Sequence, residues 1–134
     1  MERQQFNLKS DAYRKTRGGY SRFLNIYCLS CKNHILLYQK DGQGPLKRLY
    51  LDRIFAPNNL ASFYRARDIK KIPNLACPHC HSHIGTSYKY PKEKRLAFLL
   101  KPISFIKKVG KGIYPPENLR MQKMRYIGNT FEVE

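Results

Sequence analysis

All four cysteines of the chain fall into two Cys-x-x-Cys pairs, Cys28 with Cys31 in "CLSCKN" and Cys77 with Cys80 in "CPHCHS". Two residues between thiolates let one tight turn present both sulfurs to a single ion while backbone N–H groups bond to them. Two such turns complete a tetrahedral four-sulfur shell, the donor set of closed, structural zinc sites. A disulfide, a dithiol redox centre and an iron–sulfur cluster draw on the same residue type, but a thioredoxin-like pair needs a βαβ context and usually one motif rather than two. Histidines crowd the same stretches: His34 follows the first pair, and His79, His81 and His83 lie within and after the second. Each has the chemistry to replace a cysteine in a three-cysteine site, yet four cysteines already satisfy the ion, so the histidines are read as non-ligating. A closed shell also leaves no open position for a catalytic metal. The expectation is one structural Zn²⁺ on Cys28, Cys31, Cys77 and Cys80.

Each pair leads into a strand-like segment, and over residues 26–90 the motifs resemble the paired knuckles of zinc-ribbon proteins. The resemblance implies a small β-rich fold with minor α, a zinc ribbon of antiparallel hairpins. Two features depart from that pattern. The glycine that commonly follows the second cysteine of a knuckle is Lys32 and His81 here, and the 45 residues between Cys31 and Cys77 exceed the usual ~15–20. The longer spacer implies an elaborated ribbon.

Several elements must position these motifs. Residues 1–22 read as a flexible basic arm, because Arg3, Lys9, Arg14, Lys15, Arg17 and Arg22 are spread among polar residues and Gly18-Gly19 breaks any helix. Residues 23–109 read as the zinc-ribbon domain. Within it, Asp41-Gly42-Gln43-Gly44-Pro45 is a turn signal between β-formers and predicts a hairpin with strands near 34–40 and 46–52. Residues 56–74 read as an irregular insertion in which Pro57-Asn58-Asn59 caps a short helix through "LASFYRARD". "HIGTSYKY", "KRLAFLLK" and "ISFIKKV" predict three strands of one small antiparallel sheet. Residues 110–134 read as a C-terminal extension, with Pro116 and Glu117 starting a short helix near 117–125.

Lys and Arg number 26 against 9 Asp and Glu, a formal charge of +17, which opposes compaction and favours a polyanionic partner. Basic residues interleave with aromatics in "YRKTRGGYSRF", "FYRARDIKK", "YKYPKEKR" and "MRYIG", so cations for phosphates stand beside rings that can stack on unpaired bases. The candidate phosphate contacts are Arg14, Lys15, Arg17, Arg22, Lys70, Lys71, Lys107 and Lys108, with Tyr20 and Tyr64 for stacking. The expected function is RNA binding without catalysis. Basic ends on a small zinc-held sheet are similar in architecture to small ribosomal proteins, which implies ribosomal RNA and neighbouring ribosomal proteins as partners. A DNA-binding or polymerase-associated zinc-ribbon transcription factor is the alternative, and an accessory subunit of a nucleic-acid enzyme the third.

Asp41, Asp52, Asp68 and Glu93 are dispersed, with no pair spaced to gather carboxylates for a nuclease metal, and Lys40-Asp41-Gly42 is accounted for by the turn. With no phosphate-cradling glycine motif or nucleophile elbow, no small-molecule substrate is expected. No run of about 18 apolar residues occurs, so no membrane partner is expected. The reduced thiols of a metal site fit the cytoplasm, and the Arg-rich, acid-poor N-terminus leaves organellar import open.

Overall fold

The protein is seen in a computed structural model that describes residues 2–121, 124–127 and 130–133. It begins with a two-residue strand, β1 (Gln4–Gln5), and a short helix, α1 (Ala12–Thr16). Asp11 starts α1, its carboxylate accepting from the Arg14 N–H at 3.2 Å and so satisfying one free donor of the helix start. Two long strands follow, β2 (Ser21–Cys28) and β3 (His34–Asp41), separated by the first cysteine turn. The spacer holds β4 (Arg48–Tyr50), β5 (Ile54–Ala56) and α2 (Asn58–Ala61), which runs into a 3₁₀ turn over Ser62–Arg65. After β6 (Leu75–Ala76) and the second cysteine turn come β7 (His83–Tyr90), β8 (Arg95–Leu100), β9 (Phe105–Gly110) and β10 (Ile113–Tyr114), then β11 (Met124–Ile127) and β12 (Thr130–Val133).

The strands form two four-stranded antiparallel sheets, ordered β5–β3–β2–β9 and β4–β8–β7–β6, beside the pairs β1–β10 and β11–β12. In the first sheet Leu24 faces Tyr38 and Ile26 faces Leu36 across the ladder. These side chains meet Leu49, Leu75, Ile84, Phe98 and Leu100 of the second sheet in one core that also takes in Cys28 and Cys77. Alternate residues of the same strands point to the opposite face. There Phe23, Leu37 and Ala56 pack under Phe6, Leu8 and Tyr114, and Tyr27 and Ile106 pack under Met121. Both faces of the first sheet are therefore covered, the outer one by the two ends of the chain.

The structure departs from the sequence-based expectations at five places. Residues 1–22 were expected to form a free arm, but among the described ones Phe6 and Leu8 lie on the sheet, and the Lys9 main chain exchanges bonds of 2.7 and 2.9 Å with the Gln39 amide. Asp11 reaches Arg53 at 2.6 Å, and the Tyr13 ring covers the Arg95 guanidinium at 3.8 Å. The few apolar residues of the segment suffice because Phe23 and Leu37 present a surface for them. Removing residues 1–20 is thus expected to lower stability by about 3 kcal/mol or more, from the exposed apolar area and the lost partner of Arg53. An unchanged urea midpoint for the truncated chain would restore the independent arm.

The predicted hairpin of residues 34–40 with 46–52 is also absent: β3 pairs with β2 and β5, whereas β4 pairs with β8 in the other sheet. The turn signal marks a crossing between sheets. Gly42 makes it possible, at φ +75° and so close to α1 that a Cβ would lie 3.0 Å from the Arg17 carbonyl oxygen. The "ISFIKKV" strand likewise leaves β7 and β8 and joins β2 as β9, where Ile106 adds to the outer core. No helix occurs among the described residues of 117–125. Arg120 instead forms a β-bridge with Asn33, and Met124 opens β11. The insertion helix is shorter than expected, one turn of α-helix before the 3₁₀ turn.

Candidate metal centre and basic surface

The two cysteine turns are built alike. In the first, the Lys32 N–H donates to the Cys28 carbonyl and the Cys28 N–H to the Asn33 carbonyl, both at 2.9 Å; in the second, His81 to Cys77 and Cys77 to Ser82 repeat this at 2.9 Å. Lys32 and His81 adopt φ of +69° and +65°, so the left-handed residue that glycine commonly supplies is made by side-chain-bearing residues held by those bonds. The flanking ladders agree too. Tyr27 faces His34 and Ile26 faces Leu36 across a register shift, as Ala76 faces His83 and Leu75 faces Gly85.

The sheets bring the turns together so that all four Sγ atoms lie within 4.8 Å of one another. Cys28 and Cys80 are 3.6 Å apart and Cys31 and Cys77 3.5 Å. Those separations lie near the ~3.8 Å edge of a tetrahedron with metal–sulfur bonds of ~2.3 Å, and far above a disulfide's ~2.05 Å. Donors surround the sulfurs: the Asn33 amide to Cys31 at 3.3 Å and the His79 N–H to Cys77 at 3.4 Å, with the Ser82 hydroxyl 3.1 Å from Cys80. Such bonds stabilise thiolate and orient it. Burial pushes the Cys77 thiol up to about 12, whereas bonds from Ser82 hold exposed Cys80 near 6. The donor set, spacing and second shell thus fit a single metal ion.

The C-terminal segment straps one side of the site. The Arg120 guanidinium donates to the Cys31 carbonyl at 3.0 Å, and the Met121 N–H to the Lys32 carbonyl at 2.8 Å. No histidine joins the sulfur cluster among the described residues. His34 is buried, 2.8 Å from the Asn25 amide oxygen, and burial pushes it down to about 4, so it is neutral near pH 7. His79, His81 and His83 are exposed.

The ten residues expected to contact nucleic acid divide into groups. Lys15, Lys70 and Lys71 are exposed, the last two in a 3₁₀ turn within the insertion, where Tyr64 carries Arg65 and Lys9 over its ring. Arg14 donates to the Gly19 carbonyl at 2.9 Å. Arg17 forms an ion pair with Glu93, donates to the Tyr50 hydroxyl at 3.0 Å and stacks on that ring. Arg22 bonds the Gly42 carbonyl at 3.1 Å and lies over exposed Tyr20. Lys107 and Lys108 are exposed on β9, on opposite faces of the strand. Arg22 faces Lys40 across the β2–β3 ladder and Arg17 lies against Gly42, whereas Lys107 faces Ile26, two residues from Cys28. Burial, and then the charges of Arg22, Lys107 and Arg17, push the Lys40 ammonium below its ordinary range.

The carboxylates that look dispersed in sequence are gathered by the fold, but around arginines. Arg53, 1% exposed, holds Asp41 at 2.9 Å and Asp11 at 2.6 Å, and Arg95 holds Asp52 at 2.6 Å. No signal in the sequence marks Arg53 or Arg95 as buried.

Fold and site together define a β-rich protein of two antiparallel sheets joined at a four-cysteine cluster able to hold a metal ion. Comparison with known protein families, curated proteins and solved structures gives no match to this chain.

Proposed function

We propose that the chain is a zinc-ribbon-like protein whose four cysteines hold one structural Zn²⁺ and whose basic end, remote from the metal, binds RNA, with a ribosomal or other ribonucleoprotein particle as its setting. The observation that carries the RNA reading is Arg22 facing Lys40 across the ladder at the far end of β2, with exposed Tyr20 beside Arg22. Along β2 this end lies roughly 20 Å from Cys28, at ~3.3 Å per residue. A core tied by metal at one end can present cations at the other without collapsing around them. Zinc is favoured over an iron–sulfur cluster because the sulfurs stand at the spacing of one tetrahedral ion.

Fluorescence anisotropy with equal-length single-stranded RNA and duplex DNA at one salt concentration tests the reading. RNA should bind more tightly, since stacking on Tyr20 needs an unpaired base. The Arg22→Ala variant should flatten the slope of log affinity against log salt by ~0.7, for one lost phosphate contact. Equal or tighter duplex binding with a sequence preference would instead select the DNA-binding alternative.

A further inference from the structure

At the end of the core remote from the cysteines lies a cavity of about 400 Å³, lined among others by Arg17, Lys40, Asp41, Lys47, Arg48 and Tyr90. Lys40 is 9% exposed, and the hydrogen bond found for its ammonium is a long one, 3.4 Å, to the Asp41 carbonyl. No carboxylate lies within ion-pair distance of Lys40, Lys47 or Arg48 among the described residues. The acid that lines the cavity is already engaged: the Asp41 carboxylate accepts from Ser21 at 2.6 Å, Gln39 at 2.8 Å and Arg53 at 2.9 Å. Arg17 is neutralised by Glu93.

Three cations thus face one recess without a counter-charge, one of them taken out of water. A buried charge is costly unless it is partnered, and neither the fold nor the described acids supply the partner. Arg48 is meanwhile fixed in place, its Nε donating to the Tyr88 hydroxyl at 2.7 Å and its guanidinium lying 4.3 Å from the Tyr90 ring centre. A held guanidinium offers paired donors suited to phosphate oxygens. Three cations favour the more highly charged group. A backbone phosphodiester carries chain on both sides, whereas a terminal phosphate carries it on one and can enter with more charge.

We infer that this cavity binds the terminal phosphate of a phosphomonoester, with Lys40, Lys47 and Arg48 as its counter-charges. The inference goes beyond RNA binding, because a free nucleoside monophosphate and the 5′-phosphate of an RNA strand offer the same chemistry.

The test uses the full chain with 5′-AMP and adenosine in calorimetry, and with 3′-labelled RNA decamers bearing either a 5′-phosphate or a 5′-hydroxyl in anisotropy. AMP binding where adenosine does not bind supports the cavity and identifies a free nucleotide as its source. A gain of about tenfold or more for the phosphorylated decamer supports it and identifies the RNA end, since one or two charged hydrogen bonds supply that much. In either case the phosphate-dependent part should fall about tenfold in Lys40→Met and in half-buried Arg48→Gln, with each variant's fold checked by thermal unfolding. If AMP does not bind and the two decamers bind equally, the cavity assignment is overturned while RNA binding stands. If AMP binds but neither decamer does, the RNA reading is overturned and the cavity stands.

Discussion

Cys28→Ser, or removal of metal by a strong chelator, is expected to unfold the protein or lower its stability by more than about 4 kcal/mol, the linkage expected for a ligand present a thousandfold above its Kd. Cys28 and Cys31 sit on the turn between β2 and β3, Cys77 and Cys80 on the turn between β6 and β7, and the ion would join these two turns across the core. Without it, burial opposes ionisation of Cys28 and Cys77, and the remaining thiols carry no shared counter-charge. Apparent binding energies of structural zinc sites, about 10–16 kcal/mol in small peptides at neutral pH, are comparable to the whole stability of a domain. Metal content of protein purified without added metal should be one zinc per chain, and thermal unfolding with and without chelator should separate widely. The separation should narrow as pH falls, because protons compete with the metal for the thiolates and weaken its binding. A chelated protein, metal-free by elemental analysis, with an unchanged melting temperature would end the structural-metal reading.

Arg53→Met should cost about 3–5 kcal/mol, the range found when one partner of a buried ion pair is removed. Methionine fills much of the space, so the loss would come mainly from Asp41, whose side chain is 4% exposed and would stay charged without its arginine. Urea unfolding at pH 7 measures this, and a cost below about 1 kcal/mol would mean that Ser21 and Gln39 satisfy Asp41 unaided. The pH dependence follows in sign. Burial works to raise the Asp41 carboxyl, but bonds from Ser21, Gln39 and Arg53 outweigh it and hold the group below its ordinary range, while the bond from Arg53 brings Asp11 down to about 2. Carboxyls with lowered folded values stabilise fully above their unfolded value near 4 and lose that contribution as pH falls toward 2. Wild type should therefore lose stability over that interval, and Arg53→Met should lose less.

What the sequence determined by itself is local. Two Cys-x-x-Cys pairs specify their own turns, because the spacing and the adjoining backbone bonds suffice to aim two sulfurs at one point, and the structure repeats that turn at both sites despite Lys32 and His81 in the glycine position. The strands at His83–Tyr90, Arg95–Leu100 and Phe105–Gly110 were equally legible, as short apolar and aromatic runs broken by Pro91 and Pro102, and so was the β-rich class. Partner choice was not legible. The alternation within a strand shows which side chains share a face but not which neighbour covers it, so β4 and β9 each lie in the other sheet from the one their nearest turn suggests. Residues 2–22 read as polar arm because burial was judged from their own composition. Their few apolar side chains are buried by a surface that exists only once β2, β3 and β5 have paired. Charge behaved in the same way: counted along the chain, Arg53, Arg95 and Lys40 are three of 26 like cations. Only the tertiary structure decides that the first two are enclosed among carboxylates and the third is enclosed without one, because desolvation depends on what packs around a group and not on its neighbours in sequence.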